Sequence, residues 1–314
     1  MSQRSTTDLI EPTVEIRHIR KHWLLAVVPA MRPHQWVKNL FIFAPLLFAR
    51  KLADPQAIGY AFLAFIVFCF LASGLYLFND WLDIEEDREH PEKRYRPLAS
   101  GQLRVPAALA ASLLLIAGAL VLASLVSGRF LLVTSAYFAL TLGYCLVLKR
   151  IMILDCMTIA GGFVLRVVGG AVAISVVATH WLVVCAFLLA LFLAFSKRRQ
   201  ELLQLSGDAG KHRTVLNQYT VTYISHVNIA LIAAAIVCYA LYTVAPETVD
   251  RFGTNNLIYG TVFVIYGLFR YTALVENPLN GGNPSRMLLK DLPLLLTVTG
   301  WAAYNAIIIY HVAQ

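Results

Sequence analysis

Residues 62–101 read FLAFIVFCFLASGLYLFNDWLDIEEDREHPEKRYRPLASG, an apolar run that turns abruptly polar. The polar island at its end, residues 79–101, holds seven of the chain's 18 acidic residues and four of its 26 basic ones. Within it, Asp80, Asp83 and Asp87 are spaced i, i+3, i+7. On a helix with about 100° per residue, this spacing places three carboxylates within roughly a 60° arc. It predicts an acidic stripe (Asp80, Asp83 and Asp87) at the end of an apolar helix.

The acidic stripe is the candidate metal site and catalytic centre. Carboxylates this close repel one another unless a positive charge lies among them. Hard oxygen ligands favour Mg²⁺, which usually keeps several waters and bridges to substrate phosphates. We therefore expect Mg²⁺ at the stripe, with Asn79 assisting, and a diphosphate as the substrate. The alternative is a solvated acidic helix end without a ligand, but a position directly after an apolar run argues against it.

Composition predicts an integral membrane protein. The 314 residues are 59% hydrophobic and 14% charged, with a mean hydropathy of +0.67, whereas soluble domains are about 25% charged. Because about 20 apolar residues cross a bilayer, the chain reads as an all-α bundle of nine transmembrane helices in one domain, residues 23–314, after an interfacial segment, residues 1–22. The expected spans are 24–49, 56–80, 105–126, 130–148, 155–178, 180–199, 218–245, 256–275 and 291–312. Pro29, Arg32 and Pro33 interrupt the first of these, so residues 14–31 are expected to form an interfacial helix and the true span to begin near Trp36.

Charge distribution predicts the orientation of these spans. The loops after spans 2, 4, 6 and 8, counted with their flanking residues, hold 15 Lys and Arg, whereas the opposite loops hold four. By the positive-inside rule, the amino terminus and the acidic stripe face the cytoplasm and the carboxyl terminus lies outside, in the inner membrane. No basic, aromatic-rich soluble module suggests nucleic acid as a partner. Lipid-facing and subunit-facing surfaces have the same apolar composition, so no oligomeric state is favoured.

Basic and polar side chains cluster on the same predicted side. Each cluster can be interpreted without a ligand, as an anchor to lipid headgroups or as a signal for membrane topology. The alternative function is phosphate binding, for which arginine is especially suited because it binds phosphate in bidentate fashion. The clusters comprise Arg32, Lys38 and Asn39 at the start of span 1, Lys93, Arg94 and Arg96 in the polar island, Tyr144 and Lys149 after span 4, and Lys197, Arg198 and Glu201 at the end of span 6.

Arg166 differs from these residues because it lies well inside an apolar span. A charge there is costly unless it faces a polar cavity or a partner, and the neighbouring Gly169 and Gly170 permit close helix approach. Arg166 therefore indicates a polar cavity within the bundle.

These residues together resemble the UbiA prenyltransferase superfamily. Asn79 and the acidic stripe reproduce its NDxxDxxxD signature after the second span, and Tyr144, Lys149 and Arg166 are also similar. The resemblance covers about residues 30–310. It implies a helical bundle around a central cavity that opens to the membrane and is capped by polar cytoplasmic loops.

One departure from the prenyl-transferring members is informative. Those enzymes usually carry a second aspartate-rich DxxxD motif after span 6, where this chain has Lys197-Arg198-Arg199-Gln200-Glu201. Cations in place of carboxylates exchange metal-bridged phosphate binding for direct phosphate binding. This pattern resembles the decaprenyl-phosphate phosphoribosyltransferase branch, as do residues 32–39 and 90–97.

The resemblance to that branch implies a donor and an acceptor. The donor is phosphoribosyl pyrophosphate and the acceptor is a polyprenyl phosphate. Donor phosphates are assigned to Lys93, Arg94, Arg96, Lys197, Arg198 and Glu201. The acceptor phosphate and the cavity wall are assigned to Arg32, Lys38, Asn39, Tyr144, Lys149 and Arg166.

Two other functions are weighed against this one. A prenyltransferase of the same fold moves a prenyl group from its diphosphate to an aromatic or quinone precursor. A transporter commonly shows internal repeats, and this sequence has no convincing repeat.

Overall fold

The computed structural model describes residues 23–204, 214–276 and 290–312, and every regular element in these ranges is helical. Eight helices are long and apolar enough to cross a membrane. They are Pro55–Leu82 (α3), Val105–Val126 (α5), Gly128–Leu146 (α6), Leu154–Ala173 (α7), His180–Gln204 (α8), Val221–Val244 (α9), Asn256–Glu276 and Leu292–Tyr310. The α-helical parts of the last two are Thr261–Glu276 (α11) and Leu292–Ile307 (α12). The predicted all-α membrane bundle is confirmed, and the predicted segment 1–22 lies outside the described residues.

Shorter elements join the long helices. The α-helical ones are Trp23–Ala30 (α1), Ala44–Phe48 (α2), Ile84–Glu89 (α4) and Pro246–Phe252 (α10). The 3₁₀ segments are Pro33–Phe43, Lys93–Tyr95, Leu148–Arg150, Thr214–Gln218 and Asn256–Gly260, the last leading directly into α11. A π-helical turn, Ile308–Val312, continues α12.

The first predicted span, 24–49, is not one continuous helix. It is divided into α1, the 3₁₀ segment Pro33–Phe43 and α2, so the described residues contain eight continuous spans where nine were predicted. Proline supplies the physical reason, because it fixes φ and removes a backbone donor. Pro29 lies inside α1, Pro33 begins the 3₁₀ segment, and α2 has Pro45 in its first turn. Irregular backbone at membrane depth is tolerated only where protein buries it, and this segment packs on α7 and α3.

Polar residues define where four of the long helices begin. The side chains of Asp54, Ser127, Thr220 and Asp291 each accept a hydrogen bond from a backbone N–H in the first turn of α3, α6, α9 and α12. Such caps satisfy amides that have no partner within the helix.

Small residues bring the central helices into close contact. Ser112 of α5 donates its hydroxyl to the carbonyl of Gly74 in α3 at 2.8 Å. In α7, a Cβ added to Gly170 would lie 2.1 Å from the backbone oxygen of Ile42. Close backbone approach through small residues is a usual way for helices to pack in membranes. At Gly170, this close approach allows the 3₁₀ segment Pro33–Phe43 to pack directly on α7.

Replacing Gly170 with alanine is therefore expected to destabilise the bundle by about 2 kcal/mol, because the obstructing atom is backbone and has little freedom to move. The matched control is Gly118→Ala in α5, where an added Cβ meets nothing within 4 Å. The measurement is the free energy of unfolding in mixed detergent micelles. Equal stability of the two variants would contradict the close approach.

Candidate functional site

A cavity of about 360 Å³ opens at the end of the bundle where the acidic stripe lies. Among the residues that the structure describes, eight cationic side chains line it, namely Arg32, Lys38, Lys93, Arg96, Lys149, Arg150, Arg166 and Lys197. Three anionic side chains also line it, namely Asp83, Glu86 and Glu201. Cations thus outnumber anions by five in the cavity wall, and by three when Asp80 and Asp87, which pair with Arg32 and Arg96, are included. Such an excess in a confined space attracts polyanions. The rest of the wall is largely apolar and includes Phe41, Leu75, Phe163 and Leu193.

The acidic stripe spans the joint between two helices. α3 ends at Leu82, and α4 begins at Ile84. The backbone N–H of Asp83 donates to Asn79 O at 3.0 Å, and that of Asp87 donates to Asp83 O at 2.8 Å. Helical hydrogen bonding thus continues across the joint, with Asp83 in the cavity wall and Asp80 and Asp87 buried beside it.

Each carboxylate of the stripe contacts a cation from elsewhere in the chain. Arg96 Nη1 bridges two of them, at 3.2 Å from Asp80 Oδ1 and 2.6 Å from Asp87 Oδ2. Arg32 also pairs with Asp80, and Lys149 pairs with Asp83. Burial raises the pKa of the Asp87 carboxyl, and the Arg96 guanidinium opposes part of that shift.

Two buried oxygens in this cluster have no hydrogen-bond partner, Asp80 Oδ2 and Asn79 Oδ1. A buried acceptor without a partner costs about 1–3 kcal/mol, so a cation beside these atoms would be stabilising. Among the described residues, no three His, Cys, Asp or Glu side chains converge as a ready-made metal site. Mg²⁺ needs only one or two carboxylates plus substrate phosphates, so the hard-oxygen donors present fit this ion.

Arg32 reaches the stripe through an unusual backbone conformation. Its φ of 56° and ψ of 59° are left-handed, directly before Pro33. Such a conformation costs about 1–3 kcal/mol in a residue other than glycine and persists only where surrounding contacts hold it. The guanidinium pairs with Asp80 and lies 5.1 Å from the ring centroid of Tyr76. The strained turn thus places a cation from the broken first span against the acidic stripe.

The polar-island cations do not all face the cavity. Lys93 and Arg96 line it, whereas Arg94 does not. Arg94 is exposed, donates to the Tyr95 hydroxyl at 2.8 Å and stacks on that ring. The structure therefore brings together two of the three predicted donor-phosphate residues of this loop.

Arg198 points away from the cavity, into the protein. It is fully buried, and its Nε donates to Asp155 Oδ2 at 2.6 Å. Its two terminal nitrogens donate to Glu201 at 2.6 Å and to the Tyr144 hydroxyl at 3.3 Å. Lys197 and Glu201, both in the cavity wall, lie 3.7 Å apart. Arg198 therefore holds Glu201 and Tyr144 in position, and its own side chain does not line the cavity.

Most of the predicted acceptor residues line the same cavity. Lys38 and Arg166 line the cavity, and Asn39 is buried behind them, with its Oδ1 accepting from Arg166 Nε at 2.6 Å. Tyr144 and Lys149 also line the cavity. The contacts confirm that Arg166 borders a polar cavity within the bundle.

Sequence reasoning assigned no role to three residues of this region. Glu86 lines the cavity, Asp155 pairs with Arg198, and the Tyr219 hydroxyl donates to Asp155 Oδ1 at 2.7 Å. A charged residue at the start of an apolar span was the available signal for Asp155. Tyr219 carried no signal, because its contact joins distant parts of the chain.

Comparison with known proteins assigns this helical bundle to a family. Residues 40–216, more than half of the chain, match the UbiA prenyltransferase family. The chain belongs to this family. As a UbiA-family protein with eight long apolar helices, it is an integral membrane enzyme and a transferase.

Named relatives and solved structures agree with the assignment to the UbiA family. The chain is 35% identical over 290 residues to a decaprenyl-phosphate phosphoribosyltransferase of Corynebacterium glutamicum, covering 90% of this chain and 86% of that protein. It is 31% identical over 285 residues to the protein of that name from Mycobacterium tuberculosis, covering 88% and 92%. A UbiA homologue from Archaeoglobus fulgidus, solved with GPP and Mg²⁺, shares the fold with a TM-score of 0.71 at 18% identity, covering 90% of this chain and 99% of that one.

Proposed function

We propose that this UbiA-family enzyme transfers 5-phosphoribose from phosphoribosyl pyrophosphate to a polyprenyl phosphate and releases pyrophosphate. The observation that carries the proposal is the excess of cationic over anionic side chains in the lining of one cavity whose remaining wall is largely apolar. The two substrates together bring three phosphate-bearing groups and one long apolar chain. Relatives that carry the name decaprenyl-phosphate phosphoribosyltransferase over most of the chain support the same reaction.

The donor diphosphate is assigned to the acidic stripe. Asn79, Asp80, Asp83 and Asp87 would hold Mg²⁺ through hard oxygens, two of which are buried and unpartnered in this structure. Bound there, the ion would neutralise charge on the pyrophosphate leaving group. Arg96 and Lys149 lie beside these carboxylates and line the cavity, so they have the reach to exchange carboxylate partners for donor phosphate oxygens.

Side chains in and near the cavity would also bind the donor phosphates and stabilise the positive charge that develops on the ribose. Lys93 and Lys197 line the cavity and would bind donor phosphates, and Arg198 would act by orienting Glu201. As the bond between ribose C1 and the pyrophosphate oxygen breaks, its electron pair leaves with pyrophosphate and the ribose gains oxocarbenium character. Carboxylates that line the cavity, such as Glu86 and Glu201, would stabilise that positive charge.

The acceptor phosphate then forms the new bond. One of its oxygens donates an electron pair to C1 from the face opposite the leaving group, giving a phosphodiester. Because a phosphate monoester is already an anion at neutral pH, no general base is required, and none is assigned. Arg32 and Lys38 would hold the acceptor phosphate, with the lipid chain against the apolar wall.

This chemistry agrees with the proposed orientation. Phosphoribosyl pyrophosphate is water-soluble and highly charged, so the cavity mouth and the amino terminus would face the cytoplasm, as the Lys and Arg distribution predicts. The carboxyl terminus would lie on the other side of the inner membrane.

A paired-substrate assay tests the reaction. Purified protein in lipid nanodiscs, with Mg²⁺, is given labelled phosphoribosyl pyrophosphate plus polyprenyl phosphate, or a prenyl diphosphate plus 4-hydroxybenzoate. We expect lipid-linked phosphoribose and pyrophosphate from the first pair and no prenylated product from the second. A prenylated aromatic product would establish the alternative UbiA reaction. The GPP-bound homologue shares the fold of this chain but is only 18% identical to it in sequence. Turnover of neither pair would refute both assignments.

A further inference from the structure

Arg166 carries a positive charge deep inside the bundle. It follows Asp155, at the start of α7, by 11 residues, which corresponds to about 16 Å along a helix. Its side chain is only 5% exposed, yet it lines the cavity. An ionised group at this depth is costly and usually marks a substrate or ion site.

The partners that hold Arg166 are all neutral. Its Nε donates to Asn39 Oδ1, its Nη1 to the carbonyl of Gly162 at 2.9 Å, and its Nη2 to the Tyr137 hydroxyl at 2.8 Å. Its guanidinium also lies 4.7 Å from the ring centroid of Tyr137 and 5.3 Å from that of Phe163. These contacts fix the orientation of the guanidinium without neutralising it.

No carboxylate in the described part of the chain pairs with Arg166. A guanidinium has five N–H donors, and the three hydrogen bonds above leave two for another acceptor. Charged arginine buried among neutral partners contrasts with Arg198, which has two carboxylate partners. The cavity side of Arg166 is therefore suited to an anionic ligand.

Lys38 adds a second positive charge to the same wall. It lines the cavity within electrostatic range of Arg166 and Arg32, and its ammonium group makes no hydrogen bond or ion pair within the described ranges. Like charges that line one cavity repel unless an anion lies between them. Arg32 has its own partner in Asp80, which leaves Arg166 and Lys38 as the pair without a counter-ion.

We propose that Arg166 and Lys38 form a phosphomonoester subsite deeper in the cavity than the diphosphate site at the acidic stripe. A phosphomonoester dianion matches both charges and accepts the two remaining guanidinium N–H groups. Phe41 and Phe163 in the adjoining wall limit the access of water, which strengthens the interaction. This inference rests on the proposed function, whose substrates contain two such groups: the phosphate of the lipid and the 5-phosphate of the donor.

Binding measurements with matched ligands distinguish these two sources. Arg166→Gln and Lys38→Gln are prepared in nanodiscs, and affinities are measured for polyprenyl phosphate against polyprenol, and for phosphoribosyl pyrophosphate against inorganic pyrophosphate. Each second ligand lacks the phosphomonoester. We expect each variant to weaken binding of one phosphomonoester by about tenfold or more, with little change for its phosphate-free analogue. The control is Arg50→Gln at the opposite end of the bundle, where Arg50 donates to Phe252 O at 3.3 Å.

The outcomes separate the hypotheses. Weaker binding of polyprenyl phosphate alone assigns the subsite to the lipid, and weaker binding of phosphoribosyl pyrophosphate alone assigns it to the donor's 5-phosphate. Unchanged affinity in both variants, or equal losses for polyprenol and pyrophosphate, overturns the subsite while leaving the proposed function intact. If the wild-type protein binds neither substrate, the proposed function itself fails. Lys38→Gln removes no hydrogen bond or ion pair with a described residue, so it reports on the subsite even if Arg166→Gln does not fold.

Discussion

Asp83→Asn is expected to lower phosphoribosyl transfer by about a thousandfold, because it removes a negatively charged oxygen from the acidic stripe. Charge neutralisation at a leaving phosphate by a bound metal contributes several kcal/mol, and each 1.36 kcal/mol is about tenfold in rate. Asp83 is the one stripe member that lines the cavity, and Asn79 Nδ2 donates to its Oδ2 at 2.9 Å. Asparagine has nearly the same shape, so the fold should remain.

The matched control for Asp83→Asn is Glu85→Gln on the next turn. Glu85 is exposed, pairs only with Arg88 at 2.8 Å among the described residues, and does not line the cavity. We expect its rate to stay within about twofold of wild type, since exposed pairs contribute at most about 1 kcal/mol. Steady-state rates, together with Mg²⁺ titrations of donor binding, provide the comparison. Near-normal turnover in Asp83→Asn would exclude the metal-binding role.

Arg198→Met is expected to destabilise the protein by about 3–5 kcal/mol. Arg198 and Asp155 have side-chain exposures of 1% and 0%, and removing one partner of such a pair leaves a buried charge uncompensated. The substitution also releases Glu201 and Tyr144, which line the cavity, so activity should fall even at temperatures where the variant is folded. The measurements are unfolding free energy in mixed micelles and turnover on the same samples.

A double variant separates the charge effect from the loss of packing. Asp155→Leu combined with Arg198→Met removes both charges, and replacing a buried pair with apolar residues is often close to neutral for stability. We expect the double variant to regain much of the stability but not the activity, because Glu201 remains unoriented. The exposed ion pair between Arg88 and Glu85 serves as the reference for this comparison. Arg88→Met is expected to lower the free energy of unfolding by at most about 1 kcal/mol. A similarly small loss in Arg198→Met would show that the buried network does not stabilise the fold.

Local sequence information was sufficient for the membrane spans and for the acidic stripe. Apolar runs such as residues 56–80 exceed the length that a bilayer requires, and the carboxylate spacing is a property of a single helix. The first span was the exception. Its prolines were visible in the sequence, but the 3₁₀ path from Pro33 to Phe43 depends on packing against α7, where Gly170 admits the backbone of Ile42.

The roles of the cations were less predictable than their presence. Lys197 and Arg198 are adjacent in sequence, yet one lines the cavity and the other is buried against Asp155. Successive residues on a helix point about 100° apart, so their environments differ whenever one face of the helix is packed. Which face of α8 meets α7 was not encoded in the local pattern, because both faces are rich in leucine and phenylalanine.

The sequence by itself determined an all-helical membrane bundle, a polar island with an acidic stripe, and a surplus of cations around it. Only the tertiary structure decided which charges meet. Arg166 and Asn39 are separated by 127 positions, Arg32 and Asp80 by 48, and Arg198 and Asp155 by 43. Helix periodicity and hydropathy act over a few residues, whereas these pairings depend on how whole helices pack. The division between an ion-paired acidic stripe and an uncompensated positive charge deep in the cavity is therefore a property of the folded bundle.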